Sequence, residues 1–229
     1  MSNERLLVLG STGSCGRHFV RHAIDAGYAV RCLVRDPSRV TLDRFAWAED
    51  PLVELVRGQV DDAQAVSDAC EDVSAVVCMI GPPRGAEVSP LGAAVRHVAD
   101  GMRRAGVRRL IVQAGGFTKI EGKPSLAEKI MRKIFIWITN EAAMIAGNDE
   151  MAEFLVQSCS DLDWTITRPG MLDERDASDP IEAAHDYGSG MPSDKIGKID
   201  LTRWYVDLLS DERSYQRAPA PQYVKPRKS

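Results

Sequence analysis

The sequence has no long apolar run, and this absence excludes one class of protein. No stretch approaches the ~20 consecutive apolar residues that a membrane-spanning helix needs. The first residues lead directly into a short apolar segment that begins at Leu6, which leaves no room for a signal peptide. From these two absences we expect a cytoplasmic protein with no membrane partner.

An excess of charge of either sign is also missing. The chain carries 29 Lys and Arg residues against 33 Asp and Glu residues, and its formal net charge at pH 7 is −4. This near balance predicts no nucleic-acid partner, because nucleic-acid surfaces are strongly basic. Cysteine is scarce, with five residues that lack paired spacing, so the thiols are expected to be reduced and structural. The length of 229 residues and the 44% hydrophobic content fit one α/β domain over residues 1–229.

A glycine-rich turn near the start is the most informative feature that is present. An apolar strand at residues 6–9 leads into Gly10, Gly13 and Gly16, and a segment with helical apolar spacing then ends at Gly27. Gly10 would let the chain leave the strand sharply, Gly13 would let the backbone approach a pyrophosphate, and Gly16 would let the helix pack closely. This order predicts a dinucleotide site. The alternative is a tight strand-to-helix turn without a ligand.

Strands and helices alternate along the rest of the chain. Further strands are predicted at residues 28–35, 52–60, 73–80, 109–114 and 163–168, and helices are predicted up to residue 70 and at about 90–105, 149–158 and 201–209. This alternation predicts a Rossmann-type, doubly wound parallel sheet flanked by helices. Residues 173–196 show no periodicity and are expected to form a loop beside the ligand crevice, and residues 218–221 an edge strand.

The end of the second predicted strand should select the cofactor. Asp36, twenty residues after Gly16, could hold a ribose 2′-hydroxyl and favour NAD. Arg35 and Arg39 offer guanidinium groups that suit a 2′-phosphate, and we expect NADP on this ground. Asp61, which follows the third strand, could cap the next helix, accept a hydrogen bond from an adenine amino group, or do both.

Residues 125–140 differ in character from the other predicted helices. They are unusually apolar, and Lys129, Arg132 and Lys133 keep one side polar. Three interpretations stay open: a helix packed on the domain, a lid over the substrate, or a subunit interface that makes a homo-oligomer.

Several motifs together resemble the atypical short-chain dehydrogenase/reductases, a group that includes NmrA-like regulators and biliverdin reductase B-like flavin reductases. The motifs are residues 10–17 (GSTGSCGR), 33–37 (LVRDP), Asp61 and 164–170 (WTITRPG). The resemblance implies a Rossmann domain that binds NADP, with a small C-terminal substrate region at about 171–215. It also implies cofactor contacts at Gly10, Thr12, Gly13, Ser14, Cys15, Gly16, Arg35, Arg39, Asp61, Gly81, Gln113 and Ala114.

The catalytic pair of that family is not found at its usual place. Typical members use a Tyr-x-x-x-Lys pair, in which the lysine lowers the pKa of the tyrosine so that it can donate a proton. This sequence has Ile145 and Asp149 where the pair would be expected, and no tyrosine in the chain has a lysine four residues on. In the expected loop, His185 is the best titrating candidate for a proton donor and Tyr187 lies two residues away.

Three functions remain open at this point. The first is NADP-dependent hydride transfer to a small organic acceptor, such as a flavin, quinone or enone, that needs little acid catalysis. The second is a non-catalytic NADP-binding regulator, and the third is non-redox chemistry on a bound small molecule. No metal site is expected.

Overall fold

A computed structural model describes residues 4–82, 85–120, 126–176, 180–184 and 195–224. Its centre is a six-stranded parallel sheet in the order β3-β2-β1-β4-β5-β6. The strands of this sheet are β1 (Arg5–Leu9), β2 (Ala29–Val34), β3 (Val53–Arg57), β4 (Ala75–Cys78), β5 (Arg109–Gln113) and β6 (Asp163–Thr167). The order confirms the predicted doubly wound Rossmann-type sheet. The order in which the strands are added reverses between β1 and β4, which stay parallel. In such sheets ligands bind at this point, outside the carboxyl ends of the strands.

In the described ranges, six α-helices cover the two faces of the sheet or follow its carboxyl edge. They are α1 (Gly16–Asp25), α2 (Ala63–Ala69), α3 (Leu91–Ala105), α4 (Leu126–Thr139), α5 (Ala142–Ser158) and α6 (Lys198–Leu208). In β1, Leu7 and Leu9 pack in the core layer formed with α2, α3 and α5. Leu6 and Val8 pack in the opposite layer with α1 and α6. Because both faces are buried, the central strands β1 and β4 read as continuous apolar runs. None of the helices in the described part of the chain is long and apolar enough to cross a membrane.

A buried cation ties the end of α6 to the sheet. The guanidinium of Arg109 donates to the Thr165 hydroxyl at 2.8 Å and to the Ser214 hydroxyl at 3.0 Å. It also donates to the main-chain carbonyls of Leu208 and Leu209. Burial lowers the pKa of Arg109 to about 10, so the side chain stays charged at neutral pH.

Helix α5 begins earlier than the sequence predicts. The predicted start at residue 149 was wrong, because α5 runs from Ala142 through Gly147 to Ser158. A glycine inside a helix usually weakens it. Here a Cβ at Gly147 would lie 2.4 Å from the Cβ of Ser89, so the glycine permits close packing that no local pattern reveals.

The expected loop at 173–196 also contains regular structure. Two short parallel strands, β7 (Leu172–Asp173) and β9 (Ile196–Gly197), pair with each other. Strand β8 (Ile181–Ala184) pairs antiparallel with β10 (Ala220–Tyr223), which confirms a strand near the end of the chain. The prediction of a loop was therefore wrong at these residues, because each strand is stabilised by a partner distant in sequence.

Candidate cofactor site

The glycine turn lies against the end of β4 and leaves no room for side chains at two positions. Gly10 has a φ of +86°, and a Cβ there would lie 2.6 Å from the carbonyl oxygen of Met79. A Cβ on Gly16 would lie 2.0 Å from the carbonyl oxygen of Gly10. Any larger residue at either position would therefore displace backbone.

The turn presents main-chain donors at the start of α1. The amide of Gly13 donates to the carbonyl of Gly10 at 2.9 Å. Within the described ranges, the amides of Thr12, Ser14 and Cys15 donate no hydrogen bond to another main-chain carbonyl. Unpaired amides at a helix N-terminus, together with the helix dipole, favour a bound phosphate. The turn therefore fits the pyrophosphate of a dinucleotide.

The side chain of Cys15 is a packing group at this turn. It is 4% exposed, and burial raises the pKa of its thiol. The Gln113 side-chain amide at the end of β5 donates to the Cys15 sulfur at 3.6 Å. The other end of that amide, Oε1, is buried and has no hydrogen-bond partner among the described residues. It is therefore an acceptor that can bind an N–H group of a ligand.

The carboxyl end of β2 separates the two expectations for the cofactor. The carboxylate of Asp36 accepts from the Ser38 hydroxyl at 2.7 Å and from the Ser38 amide at 3.2 Å. The bond from the hydroxyl lowers the pKa of Asp36. Arg35 and Arg39 are exposed, and neither guanidinium donates a hydrogen bond within the described residues. The carboxylate is thus engaged in a local turn, while the guanidinium groups can bind a phosphate.

The expected helix cap was misplaced by one residue. Asp62, and not Asp61, caps α2, because its carboxylate accepts from the amides of Gln64 at 3.0 Å and Ala65 at 3.1 Å. The prediction that Asp61 caps α2 was therefore wrong. Asp61 is exposed, which leaves its carboxylate available for the second expected role toward adenine.

The remaining predicted cofactor contacts lie at the ends of β4 and β5. Gly81 is exposed, and a Cβ built on it would meet nothing within 4 Å. Ala114 is buried, and its amide donates to the carbonyl of Thr167 at 2.8 Å. Both positions lie at the carboxyl edge of the sheet.

The structure also places at the turn a cluster that the sequence analysis missed. Lys198, at the start of α6, forms an ion pair with Glu174, and the charge of Lys198 lowers the pKa of Cys15 in opposition to burial. Glu174 also lies 3.9 Å from the guanidinium of Arg17. Burial lowers the pKa of His18, whose Nε2 lies 4.0 Å from Glu174. The pairing of β7 with β9 and the packing of α1 on α6 bring these segments together, so no local sequence signal could have found the cluster.

The positions where a Tyr-x-x-x-Lys pair would be expected lie in α5. Ile145 is 3% exposed and packs in the interior. Asp149 accepts from the amide of Lys119 at 2.9 Å and forms an ion pair with Arg132 of α4. The candidate proton donors His185 and Tyr187 lie outside the described residues and remain predictions.

Comparison of the sequence with models of known protein families identifies the family of this chain. Residues 10–212 match a family model described as NAD(P)H-binding. The chain belongs to this NAD(P)H-binding family. The membership confirms the NAD(P)-binding Rossmann protein that the sequence motifs indicate.

One curated relative and two solved structures illustrate the similarity. The Photosystem II assembly factor Ycf39 of Synechocystis sp. is 38% identical over 73 residues, which are 32% of this chain and 21% of that protein. A short-chain dehydrogenase/reductase from Veillonella parvula in complex with NADP has a TM-score of 0.75 at 13% identity, over 98% of this chain and 99% of its own. The anaerobillin reductase ChuY from Escherichia coli O157:H7 has a TM-score of 0.71 at 18% identity, over 98% of this chain and 100% of its own. At these identities the two structures show a shared fold.

Proposed function

We propose that the protein is an NADP-dependent reductase that transfers hydride to a small organic acceptor of the flavin, quinone or enone type. The observation that carries the proposal is the combination of open amides in the glycine turn with available guanidinium groups on Arg35 and Arg39. A second support is fold similarity to a protein solved with NADP and to a reductase. All five thiols are free and buried, which supports a reducing compartment such as the cytoplasm.

Each part of the site would hold one part of the cofactor. The amides of Thr12, Ser14 and Cys15 would bind the pyrophosphate, and Arg35 and Arg39 would bind the 2′-phosphate. Asp61 would accept from the adenine amino group. Gly81, Gln113 and Ala114 would flank the nicotinamide, with the unpaired Gln113 oxygen accepting from its carboxamide. The bound cofactor supplies the hydride, and the protein supplies binding and orientation.

Proton delivery limits the class of acceptor. Ile145 cannot donate a proton, and the carboxylate of Asp149 is engaged by Arg132 and by the amide of Lys119. An acceptor that needs little acid catalysis fits this arrangement. His185 and Tyr187 are proposed as donors, with solvent as the alternative source. Single-turnover rates of His185→Ala and Tyr187→Phe across pH test this part, and parental rates and profiles in both variants would exclude it.

The cofactor preference is tested by Arg35→Glu. A charge-assisted contact contributes about 1.5 to 3 kcal/mol, so NADP affinity should fall roughly 10- to 150-fold while NAD affinity changes little. Isothermal titration calorimetry with both nucleotides measures the effect. Arg21→Glu is the matched control, because Arg21 is exposed in α1 and pairs with Asp25. Equal losses for the two nucleotides would contradict the proposal.

The reductase activity itself is tested by NADPH oxidation with a panel of quinones, flavins and enones. We expect turnover with at least one class. Binding of NADP without turnover, together with nucleotide-dependent capture of a protein partner, would instead support the regulator. Binding without turnover or capture would support non-redox chemistry.

A further inference from the structure

Among the described side chains of helix α4, those that contact the domain lie on one face. Phe135 packs on Phe117 with ring centroids 4.7 Å apart. Arg132 forms an ion pair with Asp149 and donates to the carbonyl of Phe117 at 3.4 Å. These contacts join α4 to the loop after β5 and to α5.

The opposite side of α4, called the outer face below, is apolar and exposed. It consists of Leu126, Ile130, Met131, Ile134, Trp137 and Ile138. Trp137 is 85% exposed, Leu126 74% and Ile138 68%. At 100° per residue these six side chains span an arc of about 140°. Soluble proteins rarely expose so much apolar surface on one element unless it binds something.

Two further apolar side chains lie at the same edge of the sheet. Val88 is 76% exposed in the segment after β4, and Met171 is 63% exposed in the segment after β6. Helix α4 follows β5. Eleven large hydrophobic residues are exposed in the described part of the chain. Eight of them, these two and the six of the outer face, follow the carboxyl ends of β4, β5 and β6. The cofactor crevice opens at that edge.

The charges beside the outer face indicate what covers it. Lys129 and Lys133 are exposed and border one side of the apolar arc. This local excess of positive charge stands on a chain with a net charge of −4. Lysine is depleted in protein–protein interfaces, whereas helices that lie on membranes combine Lys or Arg with Trp and aliphatic residues. In a two-fold dimer the outer face would meet the same face of a second copy and bring these like charges together, so charge complementarity favours an anionic lipid surface over a second copy of this chain.

We propose that the outer face of α4 docks on the surface of a bilayer that contains anionic phospholipid, with the crevice mouth beside the membrane. The 14 residues of α4 form a rod about 21 Å long, too short to span a bilayer, so α4 lies in the plane of the interface. The expectation of no membrane partner was based on the lack of a membrane-spanning helix, and docking in the plane of the interface needs no such helix. A membrane-borne acceptor of the quinone type follows if the proposed reductase function holds.

Vesicle binding tests the docking with the full-length protein. Co-sedimentation compares vesicles of phosphatidylcholine alone with vesicles that also contain phosphatidylglycerol. We expect binding to the anionic vesicles, at least a tenfold loss in the double variant Trp137→Ser/Ile138→Ser, and a weaker salt-dependent binding in Lys129→Gln/Lys133→Gln. Leu42→Ser is the matched control, since Leu42 is 51% exposed away from α4 and should leave binding unchanged.

Two results would overturn the docking. One is the absence of binding to both vesicle types. The same holds if the parent and the outer-face variant, Trp137→Ser/Ile138→Ser, bind each vesicle type equally well. The other is a concentration-dependent dimer, detected by sedimentation equilibrium, that the outer-face variant dissolves, because the face would then bind a second copy. Calorimetry with NADP and turnover of a water-soluble quinone without vesicles are measured on the same variants. Vesicle binding without turnover contradicts the reductase alone, and turnover without vesicle binding contradicts the docking alone.

Discussion

Helices α3 and α4 both have apolar residues at helical spacing, but they differ in what covers those residues. In α3, Val95, Val98 and Met102 are each 0% exposed, because α3 packs between α2 and α5. In α4, Trp137 and Ile138 are 85% and 68% exposed. Apolar spacing thus identifies a face that must be covered, while the partner that covers it depends on the tertiary structure or on another molecule.

The largest expected effect comes from a matched pair of methionines. Met102→Ala in α3 should lower the free energy of unfolding by about 2 to 5 kcal/mol, because a fully buried side chain leaves a cavity. Met131→Ala in α4 should change it by no more than about 0.5 kcal/mol, because Met131 is 43% exposed. Urea unfolding of both variants measures the difference. Similar losses would show that α4 is buried to the same extent as α3.

A smaller effect is expected at the attachment of α4. Arg132→Met should lower the free energy of unfolding by roughly 1 to 2 kcal/mol, because it leaves the half-buried Asp149 carboxylate without its cation. Hydrogen exchange should rise in α4 and stay unchanged in α3. Arg21→Met, which breaks an exposed pair with Asp25, provides the control. Unchanged exchange in α4 would mean that the ion pair does not hold the helix.

The smallest effect extends the comparison to a pair of buried helices. Burial lowers the pKa of His22, whose Nδ1 lies 3.1 Å from the Thr202 hydroxyl where α1 meets α6. Since the unfolded chain then binds a proton more readily, this stability is present above the unfolded pKa of ~6.5 and is lost as the pH falls toward the lower folded pKa. Urea midpoints of the parent should fall over that range, and those of His22→Gln should fall less. Identical pH profiles would remove His22 from the account.

The sheet and the glycine turn were predictable because their signals are local. The clash that requires Gly16 is with the carbonyl of Gly10, six residues earlier. The central strands β1, β4 and β5 are mostly apolar because both of their faces are covered. A single sequence therefore contains most of the information for this part of the fold.

The rest depends on contacts between distant segments. Gly147 is unfavourable inside a helix, and the reason for it is close packing against Ser89, which is distant in sequence. Lys198 and Glu174 meet where β9 pairs with β7, far apart in sequence. The exposure of α4 likewise could not be read from its spacing, which left core, lid and interface equally open.

The position of Arg109 makes the folding of β5 depend on residues that are synthesised much later. Its acceptors at Leu209 and Ser214 lie 100 and 105 residues later. During synthesis, β5 therefore leaves the ribosome long before the groups that satisfy its guanidinium, and a buried charge without acceptors is strongly unfavourable. A nascent chain that ends before Leu208 would contain all six strands of the sheet but would lack the Arg109 acceptors at Leu208, Leu209 and Ser214. The stability of the sheet that carries the glycine turn thus depends in part on residues 208–214, which are translated well after that turn.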